Sequence, residues 1–550
     1  MKNREVAAIL ARIADMLEIK GDNPYKIRAY RQAAESIYRL DEDITTLYEK
    51  GWLRNIPGIG DAVEAKIGEI LKTGSCAYYD RLMEEIPDGL LDILAIPGLG
   101  HKSVKMLYDN LKIETLDELE KACQEGKVRN LPGLGVRREK KIIQGINEIK
   151  QRGDKINLGI ALPLAQELLD YLQKSPLIEN ASLTGSVRRG KALVGDIDLL
   201  LASDVPQAVY QHIKAFPAVS QTDYLEPDLV KGRLGREIEF EAIIVSPPDF
   251  YHSLLWTTGS KEHRQRIFTR FDRRDFTGLN SEAEIYSRLG MDFIAPELRE
   301  NIGEIEAAVA GSLPQLVNEA DIKGDLHVHS NWSDGSERIQ DLAAAARSRG
   351  YEYMAITDHS RSLAISGGLS LERLQAQGKL IDAINDETDG FHIFKGSEVD
   401  ILKTGELDFP DPVLKDLDVV IASVHSHFKL EPGQQTERII EAAKNEHVDI
   451  IGHLTGRLLS RRSGYEIAVD DIIEVCARCD TALEINSHPD RLDIDGNIAR
   501  KAKARGVKVA INSDAHHKKD LDLIKYGVIT ARRGWLEAKD ILNTLSRDEL

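Results

Sequence analysis

Asp325, His327 and His329, then His359, Glu398, His425, His453, Asp514 and His516 all fall in the last part of a 550-residue chain. Imidazoles and carboxylates in this mixture are metal ligands by type. Leaving Asp325 aside and adding Asp334, the candidate donors number nine (His327, His329, Asp334, His359, Glu398, His425, His453, Asp514 and His516). One divalent ion is saturated by about four to six donors. Two or three ions are therefore implied, and a cluster of that kind lowers the pKa of bound water toward neutrality and clamps a phosphoryl oxygen. The chemistry to expect is phosphoester hydrolysis. The competing reading, nine ordinary core or loop residues, would leave buried ionisable groups unpaired at a cost of roughly several kcal/mol each.

The elements that must position these ligands are short strands. Each ligand group closes an apolar run, as in YMAITDH, FHIFKGSE, VVIASVH, VDIIGH and KVAINSDAH. Strands alternating with helices bring such ends to one face. His327 and His329, two apart on a strand, point to the same side.

A second constellation lies in the middle of the chain. The segment TGSVRRG, residues 184–190, precedes VGDIDLL, residues 194–200, whose alternation is that of a strand. Asp196 and Asp198 then project from one face and can hold two Mg²⁺ or Mn²⁺ ions. Gly185 and Ser186 would approach a triphosphate by backbone and hydroxyl, and Arg189 would neutralise it. A third carboxylate should come from an adjacent strand, where Glu237, Glu239 and Glu241 share a face. The bland alternative is a solvated acidic strand.

The N-terminal part repeats one turn three times, as IPGIG at 56–60, IPGLG at 96–100 and LPGLG at 131–135, each followed by a helix-like segment rich in Lys or Arg. Gly58, Gly60, Gly98, Gly100, Gly133 and Gly135 would let backbone N–H groups approach a phosphate at the next helix's N-terminus. Such contacts hold a nucleic-acid backbone without reading its bases.

Composition bounds the rest. The net charge is −18; about none of it lies in residues 1–156, about −8 in 157–319 and about −10 in the remainder. Bound divalent ions would offset part of the acidic excess, so DNA is not excluded, but no strong nonspecific electrostatic grip is expected. The four cysteines lack the spacing of a disulfide framework, and Cys476 with Cys479 reads as a pair of ordinary helix thiols. No apolar run is long enough to span a bilayer, and the amphipathic, charged N-terminus does not read as a signal peptide. The expectation is a cytoplasmic, multidomain monomer without a membrane partner.

With these motifs in place, the chain resembles the family X DNA polymerases over residues 1–318, where Thr258, Gly259 and Ser260 also match that family, and the polymerase-and-histidinol-phosphatase (PHP) domain from about 320. The two together are similar to the bacterial PolX family. The resemblance implies a multidomain fold: a helix-hairpin-helix N-terminal region, an α+β nucleotidyltransferase palm and thumb, and a C-terminal distorted seven-stranded α/β barrel. The expected domains are a lyase-type unit at 1–85, fingers at 86–156, palm at 157–247, thumb at 248–318 and PHP barrel at 319–550. It also implies an Mn²⁺ or Zn²⁺ centre of two or three ions held by the nine ligands, with 3′-to-5′ exonuclease, 3′-end or abasic-site chemistry. Gapped, nicked or abasic DNA would be the partner, with a dNTP at the palm, contacted by Gly185, Ser186, Arg189, Gly259 and Ser260.

The resemblance places Lys66 at the family's Schiff-base lysine, with Lys26, Tyr30 and Arg54 around a 5′-phosphate; a phosphate-binding surface lysine is the other reading. It places the third palm carboxylate at Glu241, where the family has Asp, while Thr257 and Arg264 replace an aromatic residue and an Asn. One extra methylene displaces a ligand from octahedral Mg²⁺ geometry, so gap filling is expected to be weak. Arg457 and His517 are expected near a substrate phosphate. Two alternatives stand beside DNA hydrolysis: an active gap-filling polymerase with PHP proofreading, and a DNA-binding scaffold with a small-molecule phosphatase barrel.

Overall fold

Val6, Leu10, Ile13 and Leu17 recur at helical spacing and form the buried face of α1 (Lys2–Lys20). Its partner α2 (Pro24–Tyr38) buries Tyr30, Ala33, Ala34 and Ile37. In the computed structural model, which describes residues 2–38, 40, 42–87, 89–96, 99–152, 155–225, 228–235, 238–269, 273–459 and 462–550, the chain gathers into two compact units, Met1–Gly153 and Asp154–Leu550. The first is helical. Helices α3 (Asp61–Thr73), α4 (His101–Leu111) and α5 (Val136–Arg152) each follow one of the repeated turns. One apolar core extends from Val6 to Ile146, so the expected division near residue 85 is not a gap in packing.

The second unit holds two larger sheets. Strands β1 (Asn180–Leu183), β2 (Ile197–Ala202), β3 (Val219–Leu225), β4 (Leu229–Leu234) and β5 (Ile238–Val245) lie in the order β1-β2-β5-β4-β3. Only β2 and β5 run parallel, with Asp198 opposite Glu241. Helix α6 (Leu158–Gln173) packs on this sheet through Leu158, Ala161, Ala165 and Leu168. Helices α7 (Phe250–Thr258) and α8 (Lys261–Ile267) begin a separate small core around Leu255, Ile267, Ile285 and Tyr286.

Seven parallel strands follow: β6 (Gly324–Val328), β7 (Tyr353–Ile356), β8 (His392–Asp400), β9 (Val419–Ser423), β10 (Ile450–Ile451), β11 (Ala482–Asn486) and β12 (Val509–Asn512). They pair in chain order. Burial on both faces explains their unbroken apolar runs, since helices cover the outside of a parallel sheet. Val328 bridges Ala515, and the His329 amide donates to the Ala515 carbonyl at 2.8 Å. First and last strands thus meet, and the sheet is a nearly closed barrel.

Candidate metal centre

All nine expected ligands come together at the C-terminal ends of these strands. Three groups of ligand atoms each lie within 4.8 Å of one another: His329, Asp334, His359 and His516; His327, His329 and Asp514; His359, Glu398 and His425. His453 joins the last group, its Nε2 lying 2.9 Å from Glu398 Oε1. Glu398 stands between the groups. Its Oε1 is 3.2 Å from His425 Nε2, and its Oε2 is 2.9 Å from His359 Nδ1 and 3.5 Å from His327 Nε2.

The donors fit a multinuclear metal site on evidence within the cluster. His327 Nε2 and both ring nitrogens of His329 are buried and have no hydrogen-bond partner among the described residues. Buried polar atoms are seldom left so, and imidazole nitrogens facing carboxylates suit Zn²⁺ or Mn²⁺. Electrostatics points the same way. Burial opposes ionisation of Glu398, yet His425, His327 and His359 hold its carboxyl well below the usual range. His329 is pushed down to about 3 by burial and by His516 and His359, whereas Glu398 and Asp334 overcome burial to hold His359 up to about 10. Two ligands, His453 and Asp514, sit at φ +25° and +54°, conformations that cost energy and gather at functional sites.

Sequence reading missed the residues behind the ligands. Glu484, fully buried on β11, accepts from or faces His327 Nδ1 at 2.7 Å and accepts the His453 amide at 2.8 Å. Asp400 Oδ1 lies 2.9 Å from His425 Nδ1. Each leaves its imidazole's Nε2 aimed inward, as carboxylates behind metal-bound histidines do. A signal existed: Asp400 is two residues beyond Glu398 on one strand, and Glu484 is a lone acid in an apolar run. Arg457 donates to the Arg491 and Leu492 carbonyls. His517 Nε2 lies 3.2 Å from Glu337.

In the palm, β2 and β5 place Asp196, Asp198 and Glu241 on one face. Burial, then Asp196 and Glu241, push the Asp198 carboxyl up to about 7. Gly185 (φ +57°) makes the close approach possible, because a Cβ there would lie 1.7 Å from Asp198 Oδ2. The Ser186 hydroxyl is buried without a partner among the described residues. Of the three candidate acids, Glu237 lies outside the described residues, Glu239 pairs with Arg233 at 2.9 Å, and Glu241 is held by Lys231, its cross-strand neighbour.

Other residues expected at the nucleotide make contacts within the protein. Arg189 donates to Glu300 at 3.0 Å and to the Thr258 carbonyl at 2.7 Å rather than facing open space. Ser260 caps α8 by accepting from the His263 amide, and a Cβ on Gly259 would lie 2.7 Å from the His263 ring. These partners are distant in sequence, so spacing could not reveal them. Thr257 Oγ1 bonds back to the Ser253 carbonyl at 2.8 Å, and the Arg264 guanidinium lies 5.1 Å from the Trp256 ring.

The hairpin glycines divide in two. Gly58 and Gly133 have φ of +85° and +77°, and a Cβ on Gly58 would lie 2.7 Å from the Ala33 amide nitrogen. Gly60 and Gly100 are the N-caps of α3 and α4 in extended conformation, and, as at Gly135, a Cβ would meet nothing within 4 Å. Gly98 lies outside the described residues. Lys66 Nζ donates to the Ala62 carbonyl at 2.9 Å and lies 4.8 Å from the Tyr78 ring, which Lys26 also approaches at 5.0 Å. Arg54 is engaged by Asp61 and Glu64.

Comparison with known proteins agrees with this arrangement. A helix-hairpin-helix domain model matches residues 1–76, a SAM-like helix-hairpin-helix tandem matches 90–148, and a PHP domain matches 325–488. The barrel is similar to a probable phosphatase of Thermoanaerobacter sp. (strain X514), 32% identical over 40% of this chain and 89% of that protein. It is also similar to one of Caldanaerobacter subterraneus subsp. tengcongensis, 34% identical over 35% of this chain and 75% of that protein. The whole chain is 38% identical to the DNA polymerase/3′-5′ exonuclease PolX of Bacillus subtilis (strain 168), over 99% of its own length and 98% of the relative's. Helix-hairpin-helix units, an acidic strand pair and a nine-ligand barrel mouth in one collinear match make this chain a member of the PolX family.

Proposed function

We propose that the chain is a DNA-repair enzyme that holds gapped, nicked or abasic DNA through its hairpins and hydrolyses phosphodiesters at 3′ ends or abasic sites. The observation that carries this reading is the convergence of the nine ligands around Glu398. Mn²⁺ or Zn²⁺ bound there would activate water and neutralise phosphoryl oxygens. The protein's own contribution is placement. Glu398 sets the spacing between ligand groups, and Glu484 and Asp400 hold His327 and His425 with Nε2 facing inward. Asp334 and His516, 29% and 27% exposed, are the more solvent-exposed of the ligands, and a DNA end would enter beside them. A 3′-labelled gapped duplex compared with a free phosphate monoester tests it: cleavage of the duplex supports the reading, and turnover of the monoester alone supports a small-molecule phosphatase.

Gap filling is the second reading, favoured by the register of Asp198 with Glu241 on adjacent strands and by the polymerase named in the Bacillus relative. Mg²⁺ or Mn²⁺ would bind there beside a dNTP. We assign the palm to 157–247, the thumb to 248–318, and Schiff-base chemistry, if retained, to Lys66, whose trapping on abasic DNA by borohydride tests it. A cytoplasmic monomer is the form we expect to act.

A further inference from the structure

The barrel segment 487–494 is bound on one side to the palm and on the other to the metal centre. On the palm side, Asn157 Nδ2 donates to the Pro489 carbonyl at 2.6 Å and to Asp490 Oδ1 at 2.8 Å. Approach is so close that a Cβ on Gly159 would lie 2.3 Å from Pro489 Cβ. Leu492 is buried in the palm's own core, not the barrel's. On the metal side, Asn486, at the start of the segment, donates to Asp514 Oδ2 at 2.9 Å, and Arg491 Nε lies 3.7 Å from the same oxygen.

Arg491 is unusual among the arginines of this region. Arg457 is consumed by carbonyls, two of them in this very segment, and Arg533 is consumed by the Arg189 carbonyl and Glu300. The Arg491 guanidinium donates no hydrogen bond among the described residues, although it is only 24% exposed. Its backbone, by contrast, is pinned: its amide donates to the His488 carbonyl at 2.8 Å, and the Leu459 amide holds the Asp490 carbonyl at 2.6 Å. A planar fork of donors held by its main chain beside a metal-ligand carboxylate suits the non-bridging oxygens of a phosphodiester.

We propose that the palm is a working part of the barrel's metal centre, with Asn157 fixing the 487–494 segment so that Arg491 clamps the scissile phosphodiester. The proposal rests on the phosphodiester reading above and adds to it a positioning residue outside the barrel.

The test uses the full chain, Mn²⁺ and a 3′-labelled single-stranded oligonucleotide. Arg491→Ala should raise KM about ten- to a hundredfold, with kcat changed much less, because hydrogen bonds to a charged group are lost. Arg491→Lys should restore part of it. Asn157→Asp keeps the cap on the Gly159 amide, which Asn157 now provides at 2.7 Å, but removes both donors and sets a carboxylate against Asp490. It should reproduce the rise in KM, and Asn157→Ser, which also retains a cap, serves if Asp impairs folding. In the double variant with Arg491→Ala, the second change should add nothing. Amide exchange across 487–494, measured in chelated protein, should quicken in Asn157→Asp and stay unchanged in Arg491→Ala. Additive effects on KM, an Arg491→Ala enzyme within twofold of wild type, or unchanged exchange in Asn157→Asp would each overturn the proposal. Exchange decides the palm's hold on the segment even if wild type fails to cleave DNA, so that failure of the hydrolysis reading is seen separately.

Discussion

Glu398 offers one oxygen to His425 and His453 and the other to His327, His329 and His359, so no other ligand can stand in for it. Glu484 acts one step back. Glu484→Gln should lower metal affinity about ten- to a hundredfold, measured by chelator competition, with the fold intact; unchanged affinity would make Glu484 only a packing residue. In the palm, burial and then the neighbouring Asp196 and Glu241 push the Asp198 carboxyl up to about 7 from an ordinary 3.8. A raised carboxylate pKa makes folded protein bind a proton more tightly, so stability from this group is full below about pH 4 and lost as pH rises through about 7. In chelated protein, Asp198→Asn should therefore raise the unfolding temperature of the second unit at pH 8 but not at pH 4. Equal shifts at both pH values would contradict the burial of that charge. Glu241→Asp should increase primer extension, since a shorter acid escapes Lys231 and restores metal geometry; robust wild-type extension would show that Glu serves. The gathering of the candidate donors in the barrel was legible because most of them close an apolar run; Asp334, in the loop after the first barrel strand, does not. The pairing of Arg189 with Glu300 was not legible, because the two lie more than a hundred residues apart and sequence spacing carries no trace of such a contact.

The repeated hairpin shows how far a pattern of glycines can be read at the scale of an element. Three equivalent turns were evident from IPGIG, IPGLG and LPGLG, but the different duties of the two glycines were not. Gly58 answers to backbone geometry: Gly58→Val forces φ +85° on a branched residue against α2, and should destabilise the first unit by roughly 1–3 kcal/mol or more, read by denaturant unfolding. Gly100 answers to access. Gly100→Val meets nothing within 4 Å in an ordinary extended conformation, so stability should hold while affinity for gapped DNA falls about tenfold for every sequence alike. Should Gly100→Val bind normally, that hairpin is only a turn. Among the strands, the barrel was clear because parallel strands buried on both faces are uniformly apolar. The single continuous core of the first unit was not, since amphipathic helices reveal which face is buried but not which neighbour covers it.

At the scale of the whole molecule, a chain of net charge −18 has little long-range attraction for DNA, so its grip must come from local hairpin amides and from cations at the barrel mouth. Acidic ligands account for part of that charge, and bound ions would reduce it where the substrate lies. Two functions are therefore separable: binding that survives loss of the barrel's metal, and cleavage that does not. Glu398→Ala is the variant that divides them. Its metal content and its rate on a 3′-labelled gapped duplex should be measured together, with DNA affinity as the internal control. The expected result is a loss of bound ions relative to wild type, cleavage reduced to background, and affinity within about twofold of wild type. Cleavage at the wild-type rate by a metal-depleted Glu398→Ala protein would contradict it.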